Sequence, residues 1–64
     1  MPWKDAKNAA TAWLESLNLP ADLRGQEVDL LVLAKNLPDK GRFREMILRA
    51  AARQLKARGA KVKQ

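Results

Sequence analysis

The apolar positions of this chain fall into three blocks, separated by Asn18-Leu19-Pro20 and Asn36-Leu37-Pro38. Proline disfavours helix at the residue before it and cannot donate a backbone hydrogen bond. Each triplet therefore predicts the end of one element and the entry to the next. Asp22 and Asp39 follow the two prolines, well placed to satisfy free amides and the positive dipole end of a helix. The repeated triplet reads as two similar boundaries rather than as a duplication.

The first block predicts a helix over about 5–17. At about 100° per residue, Ala6, Ala10, Trp13 and Leu17 share one face, with Leu14 beside them. Asn8, Thr11 and Glu15 lie opposite, and Asp5 is the expected N-cap. A short strand through Trp13, Glu15, Leu17 and Leu19 competes. Glu15 breaks its alternation, and the Ala-rich lead-in favours helix.

The second block predicts a helix over about 22–36. Its centre, Val28 to Ala34, is apolar nearly all round apart from Asp29. Periodicity alone does not separate a buried helix from a buried strand in such a run. Helix is preferred because no second strand is evident to pair with it, and a lone strand leaves its backbone groups unsatisfied. Gly25 weakens the first turn, so regular helix is expected from near Gln26. A helix apolar on all sides must be covered on all sides. Two neighbours in so short a chain leave it under-covered, which points to self-association, with a homodimer as the default.

The third block predicts the clearest helix, over about 39–58. Phe43, Ile47, Ala50, Ala51 and Leu55 make one stripe, flanked by Met46 and Leu48. Arg42, Arg49, Arg53 and Lys56 fall within about 60° of one another on the opposite side, along about 20 Å of helix. Gly59 is a natural stop, and residues 59–64 read as a loose basic tail carrying Lys61 and Lys63.

A chain of 64 residues has room for one domain, with a small core and marginal stability of its own. It contains neither Cys nor His, so disulfides and the usual zinc clusters do not staple it. Well-packed helices and oligomerisation are the remaining routes. The expected fold is therefore all-α, a compact three-helix domain spanning 1–64. The first ten residues have no apolar run of signal-peptide length, and Leu30 to Ala34 is too short to span a bilayer. A cytoplasmic protein is expected.

Charge changes the picture most. Residues 1–38 carry four basic and five acidic side chains, whereas residues 39–64 carry nine basic and two acidic ones. Residues 39–64 are a cation attached to a near-neutral body. A one-sided field of that kind suits a polyanion, of which nucleic acid is the commonest. An ordinary solubilised helix face is the plain alternative. Against it, Glu45 is the only acid after Asp39, so nothing balances the stripe. The candidate binding residues are Arg42, Arg49, Arg53, Lys56, Lys61 and Lys63, with Lys40 and Arg44 secondary because they lie nearer the apolar side. Arginine forks grip phosphate or guanine bidentately, and they serve equally against an acidic protein.

Other classes have little raw material. A membrane-surface helix needs bulky apolar residues beside its cations, and here that face is partly Ala and needed by the core. Trp3 reads as a packing lid over a small core rather than as a base-stacking platform, and with Trp3, Trp13 and Phe43 the only aromatic side chains, an aromatic RNA or single-strand surface is not expected. Thr11 and Ser16 are the only hydroxyl side chains, and His, Cys and Tyr are all absent. Glu27 and Asp29 point to different sides of the expected second helix. No Gly-rich phosphate loop and no metal-ligand spacing appear. The chain is not expected to be an enzyme or to hold a cofactor.

Leu19-Pro20 through Leu55, with Ala34 closing one helix and Arg44-Glu45-Met46-Ile47 in the next, loosely resembles the ribbon-helix-helix repressors. That resemblance implies a strand before the first helix, with Leu14, Ser16 and Asn18 facing DNA as a paired ribbon. Asp5 to Pro20, through Ala9, Ala12, Trp13, Glu15 and Asn18, followed by Phe43-Arg44-Glu45, looks like the theta accessory subunit of bacterial replicative polymerase. The span between Pro20 and Pro38 is longer than in that family. A helix-turn-helix across the second and third blocks would lack the glycine such turns often contain. The leading expectation is a small basic regulator that binds nucleic acid, foremost duplex DNA, without catalysis. The alternative is an accessory subunit or a phage- or plasmid-type inhibitor that docks its basic helix on an acidic partner protein.

Overall fold

In the computed structural model, which describes residues 3–37 and 39–63, two long helices pack against each other and a two-stranded parallel sheet closes one end. Helix α1 is Trp3–Ser16, strand β1 is Glu27–Asp29, the short helix α2 is Leu30–Leu33, α3 is Arg44–Ala57 and strand β2 is Lys61–Lys63. A single 3₁₀ turn, Ala34–Asn36, follows α2. The fold is mostly helical rather than purely all-α. Pro38 and Gln64 lie outside the described residues.

The two long helices follow from their apolar spacing. α1 buries Ala6, Ala10, Trp13 and Leu14, and α3 buries Ile47, Leu48, Ala50, Ala51, Ala52 and Leu55. Facing alanines let helix axes approach closely, and Leu14, Leu37 and Leu55 fill the centre of the core. Helix α1 begins at Trp3, two residues before the expected cap, so Asp5 sits inside its first turn and favours the dipole there. It ends one residue short of Leu17, where Asn18 adopts φ 56°, a left-handed conformation that asparagine tolerates at a helix end. Residues 13–16 are helical, so the paired ribbon implied by the repressor resemblance is not formed by this chain.

The expected second helix is cut to its second half, residues 30–36. Residues 22–26 form turns: the Leu23 amide donates to the Arg58 carbonyl at 2.8 Å, and Gln26 donates back to Leu23 at 2.9 Å. Gly25 has φ 80°, which breaks any helix through it. Asp22 caps no helix. Its carboxylate takes a 2.8 Å ion pair from Arg24. Hydrogen bonds from the Arg24 side chain, and then from its backbone amide, hold that carboxyl below its usual range.

Regular helix begins only at Leu30, because Asp29 ends the strand and caps the helix at once. Its Oδ1 accepts from the amides of Leu31 at 3.1 Å and Val32 at 3.4 Å. Glu27 and Asp29 therefore share the exposed face of β1 instead of opposite sides of a helix.

The missing partner strand is the supposed loose tail. Glu27, Val28 and Asp29 lie in register with Lys61, Val62 and Lys63, and the Lys61 amide donates to the Gln26 carbonyl at 2.9 Å. Each acid faces a lysine, and the two valines share the half-buried side.

Helix α3 starts at Arg44 rather than near Asp39, whose Oδ1 instead accepts from the Gly41 amide at 2.7 Å in a tight turn. At its other end Gly59 donates to Lys56 at 2.9 Å and Ala60 to Leu55 at 3.1 Å, the paired bonds of a Schellman stop. Gly59 has φ 95°, and a Cβ there would lie 2.6 Å from Arg24 Cγ and 3.2 Å from the Arg24 backbone. Both conformation and space exclude a side chain. Gly59→Ala is expected to lower unfolding stability by more than about 1 kcal/mol in urea titration, whereas Gly41→Ala should cost less.

Candidate nucleic-acid interface

The outward face of α3 is set by the face it buries. With Ile47, Ala51 and Leu55 turned to the core, Arg49, Arg53 and Lys56 are turned to solvent, all three exposed. They occupy roughly 10 Å of helix axis. Among the described residues, the ion pairs are Arg24 with Asp22 and Arg44 with Glu45, so none of these three cations has a carboxylate within ion-pair distance. Of the two acids in residues 39–64, Asp39 accepts from the Gly41 amide and Glu45 lies 3.7 Å from Arg44.

Arg42 does not extend this helical stripe. It lies in the turn before α3, exposed, with its guanidinium 5.6 Å from the Phe43 ring centroid. Lys61 and Lys63 are exposed but stand opposite Glu27 and Asp29 across the sheet, where they line a concavity of about 490 Å³ of balanced charge. The secondary candidates are committed locally. Lys40 Nζ donates to the Lys35 carbonyl at 3.0 Å, and Arg44 is half-buried beside Glu45. The six sequence-derived residues thus divide into a central trio on α3 and three outliers on other elements.

One member of the face was missed. Trp3, in the first turn of α1, is half-buried and packs at the edge of the core. The Arg53 guanidinium lies 5.3 Å from its ring centroid, within cation–π range. Trp3, Ala52 and the three cations line one open concavity of about 400 Å³. The packing role read from the sequence is real, and the same ring borders the basic face. Only the tertiary docking of α1 on α3 brings the two together, because 50 residues of chain separate Trp3 from Arg53.

A neighbouring concavity of about 360 Å³ joins Arg49, Arg44 and Glu45 to Leu30, Leu31 and Leu48. Leu31 and its neighbour Val32 are 58% and 54% exposed, large aliphatic side chains left uncovered by the single chain. Both hydroxyl side chains are satisfied within α1: Thr11 donates to the Lys7 carbonyl at 2.9 Å, and Ser16 to the Trp13 carbonyl. Among the described residues, no group of three metal-ligating side chains comes together, and no helix is long and apolar enough to cross a membrane.

No family model, curated protein or solved structure matches this chain. The reading of the site therefore rests on its own residues. Because Arg53 covers the Trp3 ring, Arg53→Ala should raise quenching of tryptophan emission by acrylamide and cost about 0.5–1 kcal/mol of stability. Arg49→Ala should change neither.

Proposed function

We propose that this domain is a small, non-catalytic nucleic-acid-binding regulator that meets duplex DNA with the exposed face of α3. The observation that carries the reading is the trio Arg49, Arg53 and Lys56, three cations on one helical face with no carboxylate paired to them. Unpaired cations along a helix can exchange their counterions for phosphates, and that release drives binding without base readout. Arg42 adds a phosphate contact beyond the start of the helix. Lys61 and Lys63 stand beside the backbone as weaker contributors, because Glu27 and Asp29 offset their field.

The homodimer enters as part of this reading. Leu31 and Val32 are exposed on a short helix whose other residues face the core, and a second copy seated there would bury both. Sedimentation equilibrium should give twice the chain mass, and Leu31→Lys/Val32→Lys should restore the single mass.

One observation favours the alternative partner, an acidic protein. The concavity shared by Leu30, Leu31, Leu48 and Arg49 mixes apolar and cationic surface, as a protein interface does and a pure phosphate track need not.

Fluorescence anisotropy with a labelled random-sequence duplex, titrated from low to physiological salt, separates the two. The DNA reading expects micromolar or tighter affinity that falls steeply with salt. Arg49→Ala/Arg53→Ala should lower the slope of log affinity against log salt by about two. Absence of binding at low salt removes the DNA reading and leaves the acidic protein.

A further inference from the structure

Trp3 is the feature that a duplex-tracking helix does not explain. In continuous duplex the faces of the bases are hidden in the stack, and only their edges reach the grooves. An indole beside a phosphate-binding surface has no base face to meet there. A nucleic acid with an unpaired nucleotide does offer one.

The concavity around Trp3 has the parts for such a nucleotide. The Arg53 guanidinium lies 5.3 Å from the indole centroid, so a cation and an aromatic ring meet at its centre. A guanidinium plane and an indole both stack on nucleobases. Arg49 and Lys56 flank Arg53 on the same face, one turn before and one turn after it. They bracket the stack with one cation on each side, as the two phosphates that flank a single nucleotide require. The concavity, about 400 Å³, falls in the lower part of the range of small-ligand sites. A helix built for phosphate alone would need no indole beside its cations.

We infer that the concavity of Trp3, Arg49, Arg53 and Lys56 binds an unpaired nucleotide, its base stacked on the Arg53–Trp3 layer and its flanking phosphates held by Arg49 and Lys56. The preferred ligand is then a duplex that carries a single-stranded overhang, not a continuous duplex. This inference rests on the nucleic-acid reading of the same face.

The test compares anisotropy of a blunt duplex with that of the same duplex bearing a short unpaired overhang, each labelled at the far end. Wild type is expected to bind the overhang duplex about tenfold tighter, within the range that one stacked base supplies. The ratio of the two affinities should persist as salt rises, because stacking releases no counterions. Trp3→Leu should bring the ratio near one. Trp3 packs on the core, so Arg53→Lys is the second variant. It keeps the charge, removes the planar stack and should also collapse the ratio. Equal binding of blunt and overhang duplexes by wild type overturns the inference and leaves the duplex reading standing. A ratio that survives both substitutions overturns it as well. Failure to bind either ligand at low salt overturns both readings.

Discussion

The turn at Gly59 is the constraint on which the rest of this small fold depends. Helix α3 must stop there, and the chain must reverse closely enough for Leu23 to donate to Arg58 and Lys61 to Gln26. Only glycine permits that path, because its φ is 95° and Arg24 occupies the space a side chain would need. The reversal delivers Lys61–Lys63 to β1, and the pairing satisfies backbone groups of residues 26–29 that would otherwise face water or a helix that Gly25 cannot continue. Residues from the middle of the chain and from its last few positions thus come together beside the core, with Val28 and Val62 packed against it.

This closure also sorts the charge. Nine basic residues lie in residues 39–64, yet the fold does not gather them into one patch. Lys61 and Lys63 are set against Glu27 and Asp29, Lys40 against a carbonyl of the 3₁₀ turn, and Arg44 against Glu45. What remains on α3 is Arg49, Arg53 and Lys56, beside an indole supplied by α1. The proposed function follows from this residue after local pairing, more than from the net charge of +6.

The long helices were legible because each has enough turns for its stripe to repeat. Ala6, Ala10, Trp13 and Leu14 mark one, and Ile47, Ala50, Ala51 and Leu55 mark the other. The sheet was not, since strands of three residues give no period to read, and 31 residues of chain lie between them. A signal was present all the same. Glu27-Val28-Asp29 and Lys61-Val62-Lys63 share one polar–apolar–polar pattern with opposite charges. The apolar run Leu30 to Ala34 masked it, and Asp29 at the junction was read as helix interior instead of a cap. The α3 trio was legible from spacing alone. Arg42 was misplaced by starting that helix too early, and Trp3 was missed because its place on the basic face depends on tertiary docking.

Amide hydrogen exchange at Lys61, Val62 and Lys63 tests this account most directly. In a parallel pair alternate residues bond to the neighbouring strand, and Lys61 donates to Gln26, so Lys63 should donate to β1 as well while Val62 points away. The account predicts slow exchange at Lys61 and Lys63, with protection approaching that of α3, and faster exchange at Val62. Uniformly fast exchange at all three would mean a free basic tail. The closure at Gly59, the sorting of charge and the restriction of the proposed binding face to α3 would then all be wrong.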